Sequence, residues 1–336
     1  MPRKYKPRAG SMAFYPRVRA RSIIPKYKYF LNEDSKDVVK PLCFFGIKVG
    51  MSQVLAKNAH KNSSSYGQEI AIPVSVIEVP DLKVIGVRLY KDNDVIFGKS
   101  TVNELISFDN LVSKKIKGKK STKKIELDKF LENKDKASNL TLIAYLDESK
   151  TSTGQKKPII FEVPLSGTYE AKIEYLKENF LKTISFKDIF KIDTYLDIKS
   201  ITKGHGFTGP VKRFGIKILR PKAQQIQRHV GSIGPWNPST VMYTVPRAGQ
   251  HGFHNRTTFN KKLLIIGNDS KINPKGGFTN YGLIKNNYAV VSGSVPGSVK
   301  RVVVIRDAIR PNRSKTELTD IKIIWEWLLW KQMFII

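Results

Sequence analysis

Two stretches of the chain carry residue types that can do chemistry. His251-Gly252-Phe253-His254 sets two imidazoles three residues apart. Imidazoles titrate near neutrality, so such a pair can divide general-acid and general-base duties, as RNA cleavage requires. Gly204-His205-Gly206-Phe207-Thr208-Gly209 has the glycine spacing of a dinucleotide-binding loop. A third candidate, Cys43, is the chain's single cysteine and sits in the apolar run Leu42-Cys43-Phe44-Phe45.

Each of these fails on its surroundings. From Ile198 to Arg306 the only acidic residue is Asp269. No nearby carboxylate orients either ring, and none clusters to hold Mg²⁺ for metal-dependent phosphoryl chemistry. Zinc needs more ligands than two imidazoles supply. The glycine loop lacks the acid about twenty residues on that takes the ribose hydroxyls, and Pro210–Gly215 is not expected to open a helix. A lone Cys43 in an apolar run reads as a buried structural thiol, with no disulfide framework and a reducing compartment. We expect no enzyme and no cofactor. The glycine-rich turn instead lets backbone amides approach RNA phosphate, and His251 and His254 hydrogen-bond to RNA or stack on it. The alternatives left open are an RNA-processing enzyme using His251 and His254, and a free RNA chaperone.

The charge pattern names the partner. The 336 residues carry 59 Lys and Arg against 28 Asp and Glu, a formal net charge of +31. The stretch 198–306 holds 18 Lys and Arg, four of the five His and 14 of the 23 Gly. Ordinary solvated surfaces mix both signs; a stretch of one sign this long answers a dense polyanion, and nucleic acid is the expected partner. Residues 1–32 repeat the pattern, with nine Lys and Arg, no acid, and interleaved aromatics Phe14, Tyr15, Tyr27 and Tyr29. This arm has no apolar period and is expected to order only against RNA. By contrast, Lys99–Leu196 carries 19 Lys and 14 Asp or Glu, and no Arg occurs between Arg88 and Arg213. Arginine makes bidentate phosphate contacts that lysine does not match, so RNA contact is assigned to the Arg-bearing segments. The candidate contacts are Arg3, Lys4, Arg8, Arg17, Arg19 and Arg21 in the arm. After the insertion they are Lys203, His205, Lys212, Arg213, Arg228, His229, Arg247, His251, His254, Arg256, Lys261 and Lys275. Trp236, between Pro235 and Pro238, is a candidate stacking tip.

The elements that position these groups follow from apolar patterning. β-branched runs at Leu42–Ala56, Ile70–Val79, Leu82–Tyr90, Tyr195–Thr202, Leu283–Ser292 and Val299–Ile305 predict short strands broken by Gly and Pro, as in a small β-barrel. Its halves are separated by an insertion at 96–190. There, helices are expected at Thr101–Lys117 and Tyr169–Leu181, with Ile173, Leu176 and Phe180 on one face of the latter, and strands at Thr141–Leu146 and Ile159–Val163. The predicted division is an arm at 1–41, barrel at 42–95, inserted α/β domain at 96–190, and a barrel strand with the glycine-rich turn at 191–215. An irregular central extension at 216–275, barrel at 276–311 and a tail at 312–336 complete it. The start, Met1–Lys6, has no apolar segment of the signal-peptide kind, and no apolar run is long enough to span a bilayer. A cytoplasmic location with no membrane partner is expected.

Four motifs carry a resemblance. Gly10-Ser11-Met12-Ala13-Phe14-Tyr15-Pro16-Arg17, the run Thr202–Gly215, Arg247–Thr257 and Asn273-Pro274-Lys275-Gly276-Gly277-Phe278 resemble the large-subunit ribosomal protein three family, best its archaeal and eukaryotic branch. The likeness spans about residues 8 to 311. It implies a six-stranded barrel of the translation-protein type with an α/β insertion, and N-terminal and central extensions that penetrate ribosomal RNA. It further implies early binding in large-subunit assembly, neighbouring ribosomal proteins as partners, and a tip, carrying Trp236, that approaches the peptidyl transferase centre and influences aminoacyl-tRNA accommodation. Two positions depart. Gln224 stands where eukaryotic relatives carry a modified histidine, and Ile321–Ile336, with Trp325, Trp327 and Trp330, is unlike the polar end of the family.

Overall fold

The computed structural model describes residues 10–27, 39–93, 98–106, 137–223, 226–311 and 318–324. The chain forms two units, Ile24–Ser200 with Thr257–Ile336, and Met1–Ile23 with Ile201–Arg256. The first is mainly β.

Its larger sheet is built on β1 (Phe44–Asn58), β2 (Glu69–Glu78), β8 (Tyr195–Ile201), β11 (Asn255–Gly267), β12 (Tyr288–Ser292), β13 (Val302–Asp307) and β14 (Leu318–Ile324). The pairing order β13-β8-β11-β12-β2-β1 is completed by β13 pairing back to β1, so six strands close on themselves. β1 is long enough to do this because it changes partner along its length. Phe44–Ile47 face Val302–Ile305, whereas Gln53–Asn58 pair with β14. The β-branched content of β12 and β13 suits strands whose side chains are buried on the inner face; Ala289, Val290, Val291, Val303 and Ile305 are all fully buried.

A second sheet has the order β4-β3-β5-β6, from β3 (Leu82–Asn93), β4 (Gly98–Ile106), β5 (Asn139–Leu146) and β6 (Ile159–Pro164), with the short β7 (Thr183–Ile184) on β3. Helix α1 (Tyr169–Asn179) buries Leu176, and Phe180 just after it, the face its spacing predicts. The one-turn α2 (Phe186–Ile189) starts with a capping box between Ser185 and Asp188. Aromatic contacts fuse the two sheets into one core: Phe44 meets Phe186 edge-on at 5.2 Å, and Phe45 stacks on Phe161. Cys43 is buried there, and burial pushes its thiol far above its usual value.

Several sequence expectations need correction. Leu82–Tyr90 is a strand, but it belongs to the second sheet, so the change of sheet comes before residue 82 and not at 95. Thr101–Ile106 is strand, not helix: β4 is held by the β3 ladder, where Arg88 lies opposite Glu104 and bridges it at 2.8 Å. Residues 107–117 lie outside the described residues. Asn255–Gly267, expected inside the irregular extension, is β11 of the closed sheet. Leu283–Asn287 is loop, fastened by the fully buried Glu78, which accepts from Tyr281 Oη, Lys285 N and Asn286 N. Of the C-terminal tail, Leu318–Ile324 pairs with β1, and the tryptophans beyond it lie outside the described residues.

A buried ion pair fixes the root of the arm. Asp197 on β8 accepts from Arg306 Nη2 at 3.2 Å, Asn260 N at 3.2 Å and Ile309 N at 3.4 Å. Tyr27 donates to the Asp197 carbonyl at 2.8 Å, and its ring lies 4.0 Å beneath the Arg306 guanidinium. Removing one partner of such a pair leaves the other charged and desolvated, at a cost of roughly 3–5 kcal/mol. We predict that Asp197→Ala lowers the unfolding free energy of the isolated protein by an amount of that order, and with it the denaturation midpoint. An unchanged midpoint in guanidinium titration would show that the pair is dispensable.

Candidate nucleic-acid interface

The second unit, Met1–Ile23 with Ile201–Arg256, contains no Asp or Glu at all. Folding a chain of one sign requires cohesion other than ion pairing, and three devices supply it.

The first is a backbone ribbon. Thr202 N donates to His254 O at 3.0 Å, His205 N to His251 O and His251 N to Gly206 O at 2.9 Å each. β9 (Phe207–Thr208) then pairs with β10 (Gly249–Gln250). The ribbon closes tightly at Gly252: its φ is +74°, and a Cβ there would lie 2.1 Å from the Lys203 carbonyl oxygen. Only glycine meets both demands. The turn beyond β9 does form a short helix, α3 (Pro210–Phe214), with Pro at its start and Gly215 (φ +68°) closing it. That corrects the expectation of no helix, although five residues do not make a dinucleotide site.

The second device is stacking of guanidinium groups on aromatic rings. Arg17 lies 4.6 Å from the Phe214 centroid and 5.3 Å from Tyr15. Arg256 lies 4.3 Å from Phe14, and Arg19 5.4 Å from Phe253. Each such contact is worth about 0.5–2 kcal/mol, rising with desolvation. Gly10 lets the arm come close: its φ is +83°, and a Cβ would stand 2.4 Å from the Phe214 ring.

The third device is hydrogen bonding from arm to ribbon. Ala20 N donates to Phe253 O at 2.9 Å. His254, buried at 7% exposure, places Nδ1 2.8 Å from the Val18 carbonyl. A carbonyl only accepts, so Nδ1 carries the proton. Residues 10–23 therefore pack on their own chain. The expectation that the arm orders only against RNA is corrected for this segment, because aromatics were assigned to bases that in fact meet arginines.

These contacts sort the predicted site residues. Arg19, Arg21, Lys203, His205, Lys212, Arg228, His229, Trp236 and Arg247 are exposed, and Arg17, Arg213, His251 and Arg256 half-buried. Arg213 turns inward, donating through Nε to Gln250 O and Nη1 to Arg247 O at 2.9 Å each. Through these bonds it and His254 hold the unit's shape. Lys261 and Lys275 belong to the other unit; Arg3, Lys4 and Arg8, like Gln224, lie outside the described residues. Between Gly231 and Tyr243 every residue is exposed. Trp236 is 92% exposed and lines a shallow cavity of about 250 Å³ with Ile233, Pro235 and Pro238. Sequence reasoning missed Phe207, 80% exposed; an aromatic inside a glycine-rich, acid-free turn was the available signal.

The electrostatics record the crowding of like charge. Burial, then Arg17, lowers the pKa of Arg213 and of Arg256. Burial lowers that of His251, helped by His205, His254, Lys212 and Arg213. Burial also lowers His254, against its bond to Val18.

Comparison with known proteins gives one family. The family model "Ribosomal protein L3" matches residues 1–327. The large ribosomal subunit protein uL3 of Methanococcus aeolicus is 41% identical over 326 residues, covering 95% of this chain and 96% of its own. That of Archaeoglobus fulgidus is 40% identical over 317 residues, covering 92% and 94%. That of Methanosphaera stadtmanae is 41% identical over 331 residues, covering 94% and 95%.

The lowered histidines set a pH dependence. Above the ordinary histidine value of about 6.5 folded and unfolded chains are both neutral at His254, and its bond to Val18 is fully available. Below it the unfolded chain takes up a proton that the folded chain resists, so stability falls as the pH drops toward the lowered folded value. The thermal midpoint of the isolated protein is predicted to fall between pH 7.5 and 5.5 at fixed salt. The fall should be shallower in His254→Asn, which retains a side-chain N–H donor without titrating. Equal slopes in the two proteins would remove His254 as the source.

Proposed function

The chain belongs to the ribosomal protein L3 family, and we propose that its carboxylate-free unit is the surface by which it grips large-subunit ribosomal RNA. The protein is a structural component of the large ribosomal subunit, resident in the cytoplasm as part of the ribosome, and is not an enzyme. The single observation that carries the RNA assignment is the arm–ribbon unit itself: it folds without one acidic side chain and turns Arg19, Arg21, Lys203, His205, Lys212, Arg228 and Arg247 outward.

The finer reading has three parts. The ring of β1, β2, β12, β11, β8 and β13 is a barrel of the translation-protein type, and the sheet of β3–β7 with α1 is its inserted α/β domain. Arg3, Lys4 and Arg8 extend the phosphate contacts of Arg17, Arg19 and Arg21 from the arm, and Lys261 and Lys275 add contacts from the barrel unit. The exposed excursion from Gly215 to Arg247 is the central extension, and Trp236 at its tip works close to the peptidyl transferase centre by stacking on a base. Neighbouring ribosomal proteins and early binding in subunit assembly follow from the family. The processing-enzyme reading loses its support at His254, whose ring is buried and bonded to Val18; no carboxylate in this unit orients His251 in its place.

Two measurements test this. Sedimentation of cell extract at high salt should bring the protein down stoichiometrically with large subunits, and affinity of the purified protein for ribosomal RNA should fall with salt. The slope of log affinity on log salt is expected to be about −0.9 per duplex phosphate neutralised and about −0.7 per single-strand phosphate; a flat response would refute the polyanion argument. Trp236→Ala should enter subunits normally yet change chemical reactivity of RNA near the catalytic centre. One base stack is worth about 1–3 kcal/mol, small against the whole interface and large for a local equilibrium. Loss of incorporation would make Trp236 architectural.

A further inference from the structure

One loop of the barrel unit gathers cations without acids. Residues 293–301 join β12 to β13. These strands stand at the two ends of the run β12-β2-β1-β13, so the loop crosses over β2 and β1, and both strands fasten it. Ser75 on β2 donates through Oγ to Gly293 O at 2.7 Å. Lys48 on β1 donates through Nζ to Val295 O at 2.6 Å and to Gly297 O at 3.1 Å. Lys300 N closes the loop on Lys48 O at 2.9 Å. Gly297 sits against β8: its φ is +103°, and a Cβ there would lie 2.8 Å from Ser200 Oγ. These ties make the loop a fixed surface.

Its charges have one sign. Between Asp269 and Asp307 the chain has no acid, and β1 has none either. Lys261 from β11 lies at the start of the loop, where a Cβ on Gly293 would stand 3.0 Å from its Nζ. The Arg301 stem packs on Gly297, and Lys300 is exposed at the end of the loop. Among the described residues none of Lys48, Lys261 and Lys300 pairs with a carboxylate, whereas Arg88, Arg306, Lys57 and Lys262 in the same unit do. Lys48 also sets the polarity of the loop backbone. In a trans peptide the N–H and C=O point opposite ways; with the Gly297 carbonyl turned to Lys48, the Ser298 N–H points away from it. The loop, Gly293-Ser294-Val295-Pro296-Gly297-Ser298-Val299-Lys300-Arg301, holds no aromatic ring and no side-chain amide. It has nothing to stack on a base and no amide to read a base edge. Cations and an amide spread along a fixed loop fit the one repeating anion of a nucleic acid, its phosphate backbone.

We propose that residues 293–301 with Lys261 form a second RNA-binding surface, on the barrel unit, which holds the phosphate backbone of large-subunit ribosomal RNA without reading its sequence. Lys261 and Lys300 meet phosphates, and Lys48 is a positioning residue that holds the loop in place. This rests on the RNA-binding reading above and adds to it a site outside the arm–ribbon unit.

Two measurements on the full chain bound to large-subunit ribosomal RNA test it. Cys43 is buried, so a single introduced cysteine at an exposed position is the accessible thiol. An iron chelate that generates hydroxyl radicals is tethered at Ser294→Cys on the loop and, separately, at Ser232→Cys in the arm–ribbon unit; both serines are exposed. The chelate at position 294 should cut the RNA at a discrete set of nucleotides, different from those cut from position 232. In the second measurement, RNA affinity is followed against salt for the double variant Lys261→Gln, Lys300→Asn; asparagine tolerates the left-handed φ of +65° at position 300. Losing two phosphate contacts should make the slope of log affinity on log salt shallower by about 1.4–1.8. An unchanged slope, or RNA left uncut from position 294 while it is cut from position 232, would overturn this proposal alone. If, in intact subunits, the thiol at 294 cross-links to a neighbouring protein and no RNA is cut from it, the surface belongs to an acidic protein partner and the proposal fails. No cutting from either position together with a flat salt response would remove the RNA-binding reading as well.

Discussion

The arm–ribbon unit is built under one constraint: it folds without carboxylates. Phosphate and carboxylate compete for the same guanidinium edges, and an internal Asp or Glu would hold an arginine that RNA needs. Stacking removes the competition. A guanidinium lying over Phe14, Phe214 or Phe253 is held by its face, and a face contact leaves in-plane N–H donors unspent. Cohesion is thereby separated from recognition. Burial first, and neighbouring like charge second, lower the values of Arg213, Arg256 and His251, and a bound polyanion relieves the second.

The other unit solves the opposite problem with the opposite chemistry. There Arg88 is clamped between Glu104 and Glu162, Arg306 is buried with Asp197, and Glu78 collects the donors of a whole loop. These arginines are occupied by the protein's own acids, so they are scaffold and not ligand. The same residue type thus has two meanings in one chain, and the nearest carboxylate decides between them.

That rule marks what was legible in the sequence. Charge distribution alone separated the acid-free segments from the mixed insertion, because electrostatic partnering depends on composition over tens of residues. Strands with clean flanks, β1, β2, β5, β6 and β8, were legible from β-branched runs. β11 was not, because its apolar Leu263-Leu264-Ile265-Ile266 follows eight largely polar residues whose strand conformation comes from pairing with β8. β4 failed for a related reason: Thr101–Ile106 has a helix-like spacing that pairing with β3 overrides. At the site, the exposed cations and Trp236 were legible, whereas the inward turn of Arg213 and the burial of His254 depend on contacts more than two hundred residues apart in one case and across the ribbon in the other.

His254 shows why the tempting chemistry of the sequence was misleading. Two imidazoles three apart suggest acid and base, and in isolation their spacing says nothing against it. In the fold they take different partners. Nδ1 of His254 is committed to Val18 and its ring is buried, so it serves as a strut between arm and ribbon. His251 instead faces His205, and the nearest charges, those of Lys212 and Arg213, are positive. A general base needs a partner that stabilises its protonated form; here every neighbour disfavours it. Only an anion arriving from outside would reverse that balance.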